Sequence, residues 1–204
     1  MTSIALIRHG PTLWNEQRRL QGQADIPLSA DGIKRVKTWR VPNRFIEYRW
    51  FVSPLMRARQ TAAILGLTTK TEPAIIEMDW GEWDGRTGQE LQDKYGEGFS
   101  ERKKQGIDLR PDEGESPREV RQRVKEWIGR VSQNGLPTGA VSHQGIIRAT
   151  MSLATGWNMI NPPPEEIKWD AIHLFEINSK GDVKIMELNI SLIPETLNET
   201  IKGS

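Results

Sequence analysis

Four apolar residues, Ile4-Ala5-Leu6-Ile7, run without interruption into Arg8-His9-Gly10, and this junction restricts the possible folds more than any other stretch of the chain. A short continuous apolar run reads as a strand buried on both faces. One that stops abruptly at a cation, a histidine and a glycine delivers reactive groups to the edge of a sheet. In open α/β sheets that edge is where ligands bind. Taken alone, Arg-His-Gly is also what an incidental strand end looks like; later segments of the chain decide the matter.

The chain has 204 residues, enough for one well-buried domain and short for two, so a single domain over 1–204 is expected. Lys and Arg number 28 against 27 Asp and Glu, a net charge of +1. That balance supplies no overall field toward nucleic acid or an anionic membrane, so any selectivity for anions is local. Cysteine is absent, which excludes disulfides, thiolate metal sites and cysteine nucleophiles and suits a reducing compartment. Met1-Thr2-Ser3 leads directly into the first strand without a signal peptide, and no apolar run approaches the ~20 residues of a membrane span. A soluble cytoplasmic protein is expected; its oligomeric state is left open.

Along the chain, residues 17–28 are polar, with Gly22 and Pro27, and read as a loop over the first strand's end. A helix starts at Ser29 as N-cap, and Pro42 is expected to stop or kink it. A second strand, 49–53, turns at Pro54 into a helix over 55–65 that ends at Gly66. Residues 73–78 look extended, and 79–85 should form a loop packed by its own tryptophans. Residues 87–95 have helical character, whereas 96–115, rich in glycine and charge, are expected to be an irregular, mobile cover over the site. Ser116-Pro117-Arg118-Glu119 is a capping box that opens a helix to about Ser132, with Val120, Val124, Trp127, Ile128 and Val131 as its buried stripe. A strand over 139–143 leads to a helix over 146–154. After Pro162-Pro163-Pro164 come two strands, 171–177 and 183–188, joined by a turn at 178–182, and the tail after Ile193 should lie on the surface. This alternation predicts a largely parallel sheet whose strand ends converge at one edge.

Four separated segments carry a resemblance: Arg8-His9-Gly10 with Thr12, Trp14 and Asn15; Ser53 to Ala62 (SPLMRARQTA); Glu77 to Gly85; and Ser142 to Arg148 (SHQGIIR). In this order they are similar to the signature of the histidine phosphatase (phosphoglycerate mutase-like) superfamily. The resemblance implies a three-layer α/β/α sandwich that hydrolyses or transfers phosphoryl groups through a phosphohistidine, with no metal and no cofactor. It implies His9 as nucleophile, Arg8 and Arg57 as phosphate clamps, and His143 as a second, protonated histidine. Two carboxylates, Glu77 and Glu82, compete as general acid. The phosphatase branch's Glu-x-x-x-Gly-x-Trp-x-Gly pattern is matched by Glu77, Gly81, Trp83 and Gly85, and favours Glu77.

The residue types suit that chemistry. Phosphoryl transfer is mostly positioning and stabilisation of charge on the equatorial oxygens, so several fixed donors must surround one nucleophile. Histidine serves near neutral pH if an acceptor holds its other nitrogen, and a guanidinium fork grips two phosphate oxygens. Asn15 and Gln21 are candidate neutral donors at the rim. Two positions depart from the family's pattern: Pro11 replaces the usual Glu or Gln, and Gln144 replaces a glycine, adding a side chain that narrows the pocket or donates into it. His173 reads as structural, Arg59 as solvated, and Trp80 and Trp83 as loop packing, with Trp83 the nearer to substrate. Arg102-Lys103-Lys104 reads as a solvated face rather than a nucleic-acid site. The expected function is phosphomonoester hydrolysis on a small metabolite. A phosphoglycerate mutase is the alternative, though 90–115 lacks the Arg-Arg-Ser that mutases carry; a non-catalytic phosphate- or protein-binding member is a third reading.

Overall fold

A computed structural model describes residues 1–178 and 180–194. Six strands form one sheet in the order β3-β2-β4-β1-β5-β6. They are β1 (Thr2–Arg8), β2 (Arg49–Val52), β3 (Thr69–Thr71), β4 (Thr138–Ser142), β5 (Ala171–Ile177) and β6 (Val183–Ser191). Pairings among β3, β2, β4 and β1 are parallel, and β5 and β6 complete the sheet antiparallel. This is the α/β/α sandwich expected, with parallel strands clustered on one side.

The continuous apolar run of β1 is explained by its two neighbours. Ile4 and Leu6 face one core, which contains Val120, Val124, Trp127 and Ile128 of α6 (Pro117–Ser132) and Ile146 and Ile147 of α7 (Gln144–Thr155). Ala5 and Ile7 face the other, which contains Val36 of α2 (Ala30–Lys37) and Ala58 and Ala62 of α3 (Met56–Ile64). Alternate side chains thus enter opposite layers, as a pleated strand requires. The capping box at Ser116 and the predicted α6 stripe are both present.

Several boundaries differ from expectation for local reasons. The helix from Ser29 ends at Lys37, before Pro42, because the Thr38 hydroxyl donates back to the Arg35 carbonyl and closes the last turn. Residues Pro73–Ile75 form a 3-10 turn rather than extended chain; the Glu72 carboxylate accepts the Ala74 N–H at 3.0 Å and Pro73 occupies its first position. β3 was not expected, since an edge strand of three polar residues carries no apolar alternation. The largest difference lies in 96–115. After α4 (Gly88–Tyr95), Gly96 adopts a left-handed φ of 54° and α5 (Glu97–Lys103) begins. The glycines punctuate this segment rather than dissolve it, and Phe99 and Ile107 bury their side chains. The remaining short helix, α1 (Leu13–Glu16), follows β1 after residues 9–12. Ser179 of the expected 178–182 turn and the tail beyond 194 lie outside the described residues. Among those described, no helix is long and apolar enough to cross a membrane.

Candidate active site

The parallel registers bring three strand ends together. Arg8 pairs with Ser142 across β1 and β4, and Val52 with Val141 across β2 and β4. The next residues along, His9, His143 and Ser53, are therefore neighbours at one edge. His9 N–H donates to the Ser142 carbonyl at 2.9 Å, and the two imidazole rings lie 5.1 Å apart at 58°.

The tautomer of His9 follows from its partner. Nδ1 lies 2.7 Å from the Gly10 carbonyl oxygen, which only accepts, so Nδ1 carries the proton and Nε2 keeps its lone pair. Burial, followed by the charges of Arg8 and Arg57, holds the ring well below the usual histidine range. Gly10 fits because any Cβ there would overlap the Val36 side chain. His143 Nε2 lies 2.6 Å from Ser53 Oγ. Burial, then the neighbouring His9, Arg57 and Arg8, lowers its pKa strongly too. The resemblance implies a protonated His143, and burial among these cations opposes that proton.

Arg57 is fully buried and donates to the carbonyls of Gly22 and Ala24 at 2.7 and 2.9 Å. The Asp84 carboxylate accepts the N–H groups of the same two residues at 2.8 and 3.0 Å. Cation and anion together pin residues 22–24, and with them Gln21. The Gln21 amide oxygen accepts from Thr12 Oγ at 3.1 Å, while its Nε2 is buried with no protein partner. Asn15 caps α1: its Oδ1 accepts from Thr12 N–H, completing a capping box. The Arg8 guanidinium lies 4.8 Å from the Trp169 ring centre, and burial brings its pKa down to about 10, against the opposing pull of Glu77. The Nε atoms of Arg8 and Arg57 are also buried without partners. Unspent buried donors are costly unless an acceptor satisfies them, and these suit an anion.

Glu77 is buried, and its carboxyl accepts the N–H of Met78 at 2.8 Å and that of Gly145, in the first turn of α7, at 3.1 and 3.2 Å. Burial raises its pKa above the usual carboxylate value, in spite of those hydrogen bonds and of Arg57 and Arg8. Its backbone is fixed by Arg123, which donates to the Ala74 and Glu77 carbonyls. Glu82 is exposed, near Tyr95 and Lys94, and is apart from this cluster.

A cavity of about 240 Å³ is lined on its polar side by Arg8, His9, Asn15, Gln21, Glu77 and Gln144; Arg57 and His143 are not among its lining residues. Leu20, Met78, Trp80, Pro117, Val120 and Met159 supply the apolar side. No residue of 96–115 lines it, so that segment is not the cover that was expected; it packs around Trp83, whose neighbours include Phe99. Trp80 reaches the cavity and Trp83 is buried behind it, the reverse of the expectation. His173 is buried in β5 with Nε2 3.0 Å from the Lys168 carbonyl, in keeping with a structural role. Arg148 lines the cavity and was not singled out from the sequence. The signal was present, since a spacing of four puts it on the same face of α7 as Gln144.

The profile described as "Histidine phosphatase superfamily (branch 1)" matches residues 4–190. A curated relative, "Probable phosphoglycerate mutase GpmB" of Yersinia pestis (strain Pestoides F), is 41% identical over 92 residues, 42% of each chain. The alignment thus spans less than half the length of the curated relatives it matches. Bacillus stearothermophilus YhfR superposes with a TM-score of 0.82 at 23% identity, covering 95% of this chain and 100% of that one. The alpha-ribazole phosphatase of Shigella flexneri gives 0.77 at 24%, covering 95% and 98%. These two likenesses concern the fold. With a profile match running from β1 to β6, the chain belongs to the histidine phosphatase superfamily, branch 1.

Proposed function

We propose that the protein is a phosphomonoesterase that hydrolyses a small phosphorylated metabolite through a phosphohistidine on His9, without a metal ion or cofactor. One observation carries the reading: Nδ1–H of His9 is committed to the Gly10 carbonyl, which leaves a neutral ring with its Nε2 lone pair free in the same cavity as a buried carboxyl of raised pKa. The membership itself and phosphatase relatives of the same fold support it.

In the first step the Nε2 lone pair forms the N–P bond as the ester P–O bond breaks, and protonated Glu77 gives its proton to the departing oxygen. In the second, water attacks phosphorus, Glu77 takes back a proton, and the N–P electron pair returns to Nε2 as phosphate leaves. Arg8 and Arg57 offset charge on the transferring oxygens, with Gln21, Asn15, Gln144 and the proton of His143 as neutral donors around them. An arriving phosphoryl dianion opposes the cations that hold His143 neutral and moves that ring toward protonation.

The test is phosphate release from a broad panel of phosphomonoesters in EDTA. Turnover that survives chelation is expected; activity that vanishes and returns with Mg²⁺ or Zn²⁺ contradicts the reading. The 41% identity to a mutase-named relative favours a second reading, phosphoglycerate mutase-type transfer, over the matched stretch. Isomerisation of a phosphoglycerate faster than phosphate release would select it.

A further inference from the structure

The phosphoryl chemistry leaves one cation in the cavity without work. Arg19 also reaches the cavity, but it donates to the Gly85 carbonyl at 2.7 Å and pairs with Glu90. Arg148 is half-buried, its Nε is fully buried with no partner, and it makes no ion pair within 4.0 Å among the described residues. Glu77 acts on it from a distance but does not hold it.

Its place in the cavity is specific. Glu77 accepts the N–H of Gly145, and Arg148 lies three residues further along the same helix, α7, with both residues lining the cavity. Arg148 therefore stands on the side of Glu77, where the departing alcohol sits if Glu77 is the acid. Trp80, Met78, Val120 and Met159 supply apolar wall in the same cavity.

A half-buried guanidinium whose Nε is fully buried without a partner is costly, and a carboxylate that meets its fork satisfies two N–H groups at once. We infer that Arg148 binds a carboxylate carried by the leaving alcohol, so that the substrate class is a phosphomonoester with a compact apolar body bearing a second negative charge. The volume of about 240 Å³ admits a phosphoryl group, a small body and a carboxylate. The assignment of the two ends of the ligand rests on the phosphatase reading above.

The test compares acids with their primary amides, which keep the shape and remove the charge: phosphoglycolate and the phosphate esters of 3- and 4-hydroxybenzoate, each against its amide. In the wild-type protein the best acid is expected to exceed its amide in kcat/KM by about tenfold or more, the effect of one charge-assisted hydrogen-bonded pair. Arg148→Gln brings the ratio toward one. Arg148→Lys, which keeps the charge and loses the fork, gives an intermediate ratio and serves if the glutamine variant fails to fold. A wild-type ratio of one, or a ratio untouched by either variant, overturns the inference. Calorimetric binding of the same pairs separates the two readings. Tighter, Arg148-dependent binding of an acid without turnover of any ester would sink the phosphatase reading and leave the carboxylate site standing.

Discussion

The Gly145 N–H points at the Glu77 carboxyl from the first turn of α7, with both oxygens within 3.2 Å, and a Cβ at position 145 would overlap Oε1. Glycine is required here by close approach, not by backbone conformation. Gly145→Ala is expected to displace Glu77 while leaving the strand-end histidines in place, and to lower kcat by about 10²-fold with a smaller change in KM. Wild-type kcat in this variant would remove Glu77 from the mechanism.

Glu77 and Glu82 are separated by a leaving-group test. Glu77→Gln keeps the shape of the side chain but has no proton to deliver, so alkyl phosphates are expected to slow by ~10²–10⁴-fold. Aryl phosphates with good leaving groups should suffer much less in the phosphorylation step, and a burst marks the point at which attack by water becomes limiting. Glu82→Gln, on an exposed residue near Lys94 and Tyr95, should leave both substrate types close to wild type. The opposite pattern would make Glu82 the acid.

The pH profile follows from the directions of the pKa shifts. Because His9 is held below the ordinary histidine range, it stays nucleophilic into mildly acid solution; because Glu77 is raised, it keeps its proton above the ordinary carboxylate range. The profile of kcat/KM for alkyl esters should fall on its basic side as Glu77 ionises, and Glu77→Gln should abolish that limb. A basic limb that persists in the variant contradicts the assignment.

Stability should fall on the acid side for a different reason. His173 is pushed down to about 4 by burial, and its Nδ1 accepts from the Asn189 N–H at 3.5 Å while Nε2–H donates to Lys168. A base with a depressed folded pKa contributes stability that is present above the unfolded value near 6.5 and lost as pH falls toward 4. His9 and His143 act in the same direction. Thermal unfolding between pH 7 and pH 4 should show a decline that is shallower in His173→Gln. Equal slopes in the two proteins would contradict this.

Much of this arrangement is legible in the sequence where local chemistry decides it. Ile4–Ile7 running into Arg8-His9, and the strand ending at His143, mark two strand ends, and parallel pairing then has to bring them together. The capping box at Ser116 and the stripe of α6 are equally local. What the sequence hides depends on distant partners. That Arg57 and Asp84 grip the same two loop residues, and that Trp80 rather than Trp83 reaches the cavity, follows from packing between segments tens of residues apart. The downward pull on the His143 pKa is hidden for the same reason, since burial and cations from three other segments cause it. The helix within 96–115 is hidden by the glycines and charges that make the segment look irregular, whereas Gly96 serves as the break between α4 and α5.

The central claim is a phosphoryl group on His9, and rapid quenching into alkali during turnover of a labelled phosphomonoester tests it most directly. The account predicts a label on His9 that is stable in alkali and lost in acid, together with His9→Ala protein that neither labels nor turns over. Label on an aspartate or serine, or full turnover by His9→Ala, would contradict it.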